Sequence, residues 1–184
     1  MASVLVTPAN PRNDAMFFAP SQFAFTQLLS RHWQAILAEC LALPGQEFDA
    51  WPERQLYNHG WDVYGLYVGQ QPLLENCIFC PHTAELLQQV PGLSHAGFSR
   101  LAAGAEISPH VGYSDQVLRL HLGLRAGEDC GIRVGAQVRR WIPGECLVFD
   151  DTVEHEAWNR GSSERLVLLV DFTKPEGARA DEPS

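Results

Sequence analysis

No apolar run in the 184-residue sequence approaches the roughly 18 residues that a membrane-spanning helix needs, so the chain is expected not to cross a bilayer. Basic residues are few. Thirteen Lys and Arg against 22 Asp and Glu leave a net charge of -9, which argues against a nucleic-acid face or attachment to an anionic membrane. The opening "MASVLVTPANPRND" lacks a basic stretch followed by a sustained apolar one, so it does not read as a secretory signal, and a cytoplasmic protein is the expectation. Cys40, Cys77, Cys80, Cys130 and Cys146 are odd in number and unevenly spaced, a poor fit to a disulfide framework. Cys77 and Cys80 form a CxxC with His82 nearby, yet no second CxxC or HxxxH completes a tetrahedral zinc set. Internal repeats and low-complexity tracts are missing as well.

An apolar share of 46% is enough for a normal core. One domain is expected over residues 1–176, with its core at about 77–172 and a flexible polar tail over 177–184. In the N-terminal half, Phe25, Leu28, Leu29, Ile36, Leu37, Cys40 and Leu41 recur at three- and four-residue spacing, which predicts a helix between Ser21 and Leu43. A shorter helix is expected from Pro81 to Val90, stopped by "PG". From Gly97 onward the period changes to two, in short runs separated by Gly, Pro, Asp and Ser: "GFSRL", "VLRLHLGL", "GIRVG", "QVRRWI", "ECLVFD", "HEAWN" and "RLVLLVDF". An earlier run, "WDVYGLYV", joins them. That rhythm predicts a mainly β sandwich or jelly roll with supporting N-terminal helices.

Alternation then sorts side chains onto faces. In "VLRLHLGL", Leu118, Leu120, Leu122 and Leu124 share one face and Val117, Arg119, His121 and Gly123 the other. In the last strand Leu166, Leu168, Val170 and Phe172 share one face, while Arg165, Val167, Leu169 and Asp171 share the other. A solvated face gives the same pattern, as does a strand-end arginine in water. If these faces look into a barrel, Arg165 is well placed to take a carboxylate through its planar fork. In "SPHVGYSD", His110 is followed two residues later by Gly112, where a 2-His-1-carboxylate iron site would carry its carboxylate. His110 and the His155 of "DDTVEHEAWN" are therefore a candidate two-point metal site.

The stretch from Cys77 to Phe172 resembles the aspartyl/asparaginyl β-hydroxylase family of 2-oxoglutarate-dependent iron oxygenases. The resemblance rests on an ordered series: "CPHTAELLQQVPGL", "GFSRL", "HVG", "RLHLGL", "CGIRVG", "PGECLVFDD", "EHEAWN" and "RLVLLVDF". It implies a double-stranded β-helix, cupin-like, with Fe(II) held by two protein ligands, His110 and His155, and Gly112 as the family's own pattern. It further implies that Arg165 and Ser99 hold the distal carboxylate of 2-oxoglutarate, and that Arg119 and His121 lie near the carboxylate that chelates iron. Asp151 is implied to hydrogen-bond a metal-bound water in the position left open by Gly112, whereas Asp150, Glu154 and Glu156 are expected to be structural or solvated and Trp158 to be a packing residue. With O2 as oxidant, the implied reaction is hydroxylation of an unactivated C–H bond.

A soluble amino-acid or peptide-like substrate is expected, free or carrier-tethered, with the aspartyl or asparaginyl β-carbon favoured and neither nucleic acid nor membrane as partner. Arg100, Arg133, Arg139 and Arg140 are the remaining cations of the barrel half to receive its polar end. Two rivals stand beside it. An iron position freed by Gly112 also admits chloride, as in a halogenase, against which the charge of Asp151 weighs. The other rival is a cupin-like binding module without turnover.

Overall fold

The computed structural model describes residues 16–180; the opening segment expected to carry no secretory signal and the last part of the expected tail, 181–184, lie outside the described residues. In chain order the elements are β1 (Phe17–Phe18), α1 (Ala24–Arg31), α2 (Trp33–Ala42), β2 (Asp49–Ala50), β3 (Trp61–Val68), β4 (Gln71–Pro72), α3 (Leu74–Cys77) and α4 (Pro81–Leu87). There follow β5 (Leu93–Leu101), β6 (Glu106–His110), β7 (Val117–Arg125), β8 (Cys130–Val134), β9 (Gln137–Arg139), β10 (Cys146–Phe149), β11 (His155–Asn159) and β12 (Arg165–Thr173). Among the described residues no helix is long and apolar enough to cross a membrane.

The strands form two antiparallel sheets. The larger runs β1-β10-β7-β12-β5-β3-β2, with β4 added to β3, and the smaller runs β6-β11-β8-β9. This is the jelly-roll arrangement of a double-stranded β-helix. The leucine faces of β7 and β12 pack into one core with Leu29 and Ile36 of α1 and α2 and Leu87 of α4. Leu118, Leu120 and Leu122 are fully buried there, each worth about 1.5–3 kcal/mol over exposure. The helices thus cover the outer face of the large sheet. Its inner face, with Arg119, His121 and Arg165, turns toward the small sheet. A second cluster of Phe17, Trp61, Leu101, Ile132, Trp141 and Phe149 fills the space between the sheets.

The single helix expected between Ser21 and Leu43 is two. His32 leaves helical geometry at φ -103°, ψ 7°, and its N–H bonds Leu29 O at 3.1 Å, closing α1. The imidazole there lies 3.1 Å from that of His82, so the break brings the α1–α2 corner against α4. Leu41, placed on the apolar stripe, is exposed. The second helix ends at Leu87, short of Val90; Pro81 occupies its first turn, and the Glu39 carboxylate of α2 accepts the N–H groups of His82 and Thr83, both at 2.8 Å. The strand β6 was not separately expected. Of the segment expected to fray, residues up to 180 are tied down: Gln22 exchanges hydrogen bonds with the Arg179 backbone, and Ala180 bridges Phe18.

Candidate active site

His110 ends β6 and His155 begins β11, and the two are direct partners in the antiparallel register. Opposed residues of such a pair project to the same side, and the ring centroids are 4.2 Å apart. Each ring is aimed by the backbone two residues before it: His110 Nδ1 lies 2.8 Å from Ser108 O and His155 Nδ1 2.9 Å from Val153 O. Because a carbonyl only accepts, the proton sits on Nδ1 in both rings, and both Nε2 lone pairs are left to bind a metal. Burial, then the proximity of His110, pushes the His155 pKa down to about 4, so its imidazole is neutral and able to ligate at physiological pH.

Beside this pair, Gly112 and Asp151 share one space. A Cβ at residue 112 would fall 2.3–2.7 Å from the Asp151 carboxylate, and the Gly112 N–H donates to Asp151 O at 2.6 Å. Asp151 is buried with Oδ1 unpartnered among the described residues, and burial, aided by Asp171 and Asp150, raises its pKa against the pull of Arg119. Arg119 Nη2 lies 3.3 Å from Asp151 Oδ2, while Arg119 grips Asp171 through two 2.8 Å bonds, Nε to Oδ1 and Nη2 to Oδ2. Burial works to lower the Arg119 pKa, but Asp171 outweighs it and the net shift is upward. The row Asp171–Arg119–Asp151 is thus a fixed ionic element.

Arg165 is different. It is 1% exposed, yet among the described residues its hydrogen bonds go only to Ser99, at 3.2 Å to the hydroxyl and 3.3 Å to the carbonyl, and its Nε has no partner there. The Trp141 ring lies under the guanidinium at 4.8 Å. With no carboxylate of the described residues against it, burial depresses its pKa to about 10. Trp141 Nε1 also donates to His121 Nδ1 at 3.2 Å, which leaves the hydrogen of neutral His121 on Nε2. Burial, then the charges of Arg165 and Arg119, holds His121 well below the usual imidazole range. Ser99, His110, Arg119, His121, His155 and Arg165 line one small cavity. Asp151 and Arg119 stand where it adjoins a wider cleft of about 570 Å³. All seven residues singled out in the sequence therefore gather at one place.

The other residues of "DDTVEHEAWN" are structural. Asp150 takes Lys174 Nζ at 2.8 Å and the Thr152 hydroxyl at 2.6 Å, and Glu154 and Glu156 both bind Arg133. Trp158 lies beneath Arg160. Arg100 is held by Asp62, and none of Arg100, Arg133, Arg139 and Arg140 lines the cleft. Sequence patterning missed Asp171 as the partner of Arg119, although it shares the inward face with Arg165. It also missed the aromatic wall: Trp51 stacks on Trp61 at 4.3 Å, and Trp61 Nε1 donates to Ser99 Oγ at 3.1 Å. Cys77 and Cys80 are buried free thiols, and burial raises both, Cys80 to about 12. Among the described residues no group of three or more His, Cys, Asp or Glu is arranged to hold a metal, so any ion at the His110–His155 pair must take further ligands from elsewhere.

The sequence profile of the aspartyl/asparaginyl beta-hydroxylase family matches residues 30–175, reaching well upstream of the Cys77 boundary legible in the motifs. A Rhizobium tropici ornithine lipid ester-linked acyl 2-hydroxylase is 45% identical over 104 residues, 55% of this chain and 37% of that protein. Human aspartyl/asparaginyl beta-hydroxylase is 32% identical over 172 residues, 87% of this chain and 23% of the human protein. The chain thus spans well under half the length of either relative. Among solved structures, an oxidoreductase of the 2OG-Fe(II) oxygenase family from Burkholderia pseudomallei superposes with a TM-score of 0.54 at 15% identity, covering 79% of this chain and 80% of that one, which shows the shared fold.

Proposed function

Because the chain belongs to the aspartyl/asparaginyl β-hydroxylase family, we propose that it hydroxylates an unactivated C–H bond with Fe(II), 2-oxoglutarate and O2. The observation that carries this is the pair of unsatisfied buried groups flanking two metal-ready imidazoles: the cation Arg165, which lacks a carboxylate, and the Asp151 oxygen, which lacks a donor. A dianionic co-substrate suits the first, and a water on the metal suits the second. His110 and His155 would hold the iron, while Arg165 and Ser99 would take the distal carboxylate of 2-oxoglutarate, with Arg119 and His121 toward its other end. When bound, iron and 2-oxoglutarate supply the oxidation, in which one atom of O2 enters the substrate as hydroxyl and the other enters succinate as CO2 is released.

The protein's own side chains do the positioning. Arg165 orients the co-substrate through a planar fork held on Trp141. Trp61 and Phe149, beside His110 and His155, exclude water around the histidines, which strengthens every charge interaction inside. Asp151 favours hydroxylation over halogenation, since a carboxylate about 4 Å from a halide repels it by roughly 4 kcal/mol at an effective dielectric of 20. The two relatives are named for different substrates, one an acyl chain and the other aspartyl and asparaginyl side chains. Only what they have in common, C–H hydroxylation, is carried over at this point.

The test is anaerobic addition of Fe(II) and 2-oxoglutarate to the purified protein, followed by O2. Stoichiometric iron binding, a charge-transfer absorption on adding 2-oxoglutarate, and succinate release are expected. Unimpaired iron binding by the double variant His110→Ala/His155→Ala overturns the ligand assignment.

A further inference from the structure

A bare glycine decides where one tryptophan sits. Gly123 follows His121 by two residues on the inner face of β7, and a Cβ there would fall 2.4 Å from Ile142 O. With no side chain in the way, the β9–β10 connection lies close against the strand: the Gly123 N–H donates to Glu145 O at 2.9 Å and the Gly144 N–H to Gly123 O at 2.8 Å. This seats Trp141, which is 4% exposed, behind the cavity wall, with its ring under Arg165 and its Nε1 reaching His121 Nδ1 at 3.2 Å. A second buried tryptophan makes the same kind of bond from β3, where Trp61 Nε1 reaches Ser99 Oγ at 3.1 Å.

An indole N–H only donates, so each tryptophan uses up an acceptor. The lone pair of His121 Nδ1 goes to Trp141, which leaves that ring its Nε2–H. Ser99 Oγ has two lone pairs; Trp61 takes one and Arg165 Nη1, at 3.2 Å, the other, so the hydroxyl hydrogen is what Ser99 has left to offer. Arginine has no acceptor at all. Among the described residues that line the cavity, the side chains of Trp61, Ser99, Arg119, His121 and Arg165 therefore present hydrogens alone, and the metal-ready pair His110 and His155 stands apart from them. Resting on the 2-oxoglutarate assignment above, we propose that Trp61 and Trp141 are positioning residues that set co-substrate specificity: by occupying the acceptors of Ser99 and His121 they make the cavity donor-only, so that it takes a carboxylate and refuses a carboxamide. A carboxylate accepts at every lone pair. A carboxamide sets its own N–H groups against these donors and leaves buried polar groups unpaired. For the same reason His121 serves as a neutral donor and not as a base.

The test replaces each indole N–H by sulfur, with benzothienylalanine incorporated in place of Trp61 or of Trp141, which keeps the shape of the ring and its face under Arg165. The probes are N-oxalylglycine, a dicarboxylate with the backbone length of 2-oxoglutarate, and N-oxalylglycinamide, its carboxamide. Binding to the anaerobic Fe(II)-loaded protein is measured by calorimetry, and nitrogen NMR of the ligand-free, metal-free protein, with the His121 signals assigned from their loss in His121→Phe, reads the tautomer of that ring. The unaltered protein is expected to favour the acid and to show His121 as Nε2–H. Replacing Trp61 frees a lone pair on Ser99 and should shrink the preference for acid over amide about tenfold. Replacing Trp141 should move the His121 signals toward the Nδ1–H form and weaken N-oxalylglycine about tenfold, an effect that should vanish in the His121→Phe background. An unchanged preference in the first variant, an unchanged tautomer in the second, or equal binding of acid and amide by the unaltered protein overturns the proposal. Failure of the unaltered protein to bind N-oxalylglycine refutes the 2-oxoglutarate assignment itself, while the ligand-free spectra still decide whether Trp141 fixes His121.

Discussion

Gly112 and Asp151 fill one position between them: the side chain missing from the first is the space taken by the carboxylate of the second, with a built Cβ only 2.3 Å from Asp151 Oδ2. A third protein ligand at residue 112 and an inward Asp151 are therefore mutually exclusive. The chain has adopted the second arrangement, in which a carboxylate stands beside the His110–His155 pair at the start of the β10–β11 connection.

Gly112→Ala should accordingly push Asp151 out of place. Overpacking of this kind costs about 1–3 kcal/mol of stability, read as a lowered urea midpoint at unchanged slope. Product formed per succinate should fall at least tenfold. The double variant Gly112→Ala/Asp151→Gly should recover the midpoint and leave the coupling poor; recovery of coupling as well would show that Asp151 has no part in the chemistry.

Arg165→Met should have opposite effects on binding and folding. Loss of a charge-assisted pair in a dry cavity weakens 2-oxoglutarate by about 1.5–3 kcal/mol, roughly tenfold to hundredfold in the dissociation constant. Without co-substrate the same variant should melt at a higher temperature, because a guanidinium that burial drives down to about 10 is being replaced by an apolar side chain of similar length. Calorimetric titration and thermal melts check the two halves, and a lowered melting temperature refutes the second.

Asp171→Asn should destabilise the protein strongly. Removing one partner of a buried pair costs about 3–5 kcal/mol, and the remaining contact of Arg119 with Asp151 places the expected value at the lower end. Chemical denaturation measures it. A loss under 1 kcal/mol would mean that Arg119 finds another anion.

Acid should unfold the metal-free protein by way of its histidines. His121 and His155 both have folded pKa values below the ordinary 6.5, the latter about 4, so the unfolded chain binds protons more readily than the folded one. Their contribution to stability is fully present above pH 6.5 and is lost as pH falls from there toward 4. At pH 5 the neutral buried His155 costs about 2 kcal/mol relative to pH 8, and His121 acts in the same direction. Denaturation midpoints at the two pH values test this, and His155→Gln should lessen the difference. Stability independent of pH over that window would contradict the burial of both rings.

Much of this was legible in the chain because alternation is a local property. In β7 and β12 the leucines had to share one face and Arg119, His121 and Arg165 the other, since successive side chains of a strand point oppositely. Which of those faces looks into the barrel was not local, as a solvated face carries the same pattern. The break at His32 was hidden for a similar reason: the helical period of the apolar residues runs through it, and only contact with His82 on another helix marks the corner. Asp171 lay in plain view on the face of Arg165, but its bond to Arg119 depends on the β12–β7 register that sets the two opposite each other.

By itself the sequence determined the alternation, the helices' apolar stripes, the isolated His110 and His155, and the glycine at 112, because each is fixed by residue type and spacing along the strand. Tertiary structure decided the rest. Antiparallel register placed two histidines 45 positions apart as direct partners, folded Asp151 into the space Gly112 leaves, and closed Trp141 and Ser99 around Arg165, which no carboxylate of the described residues meets. It also settled the charge of the cleft, for whether an arginine is free to meet a substrate depends on which carboxylates the fold has already set against it.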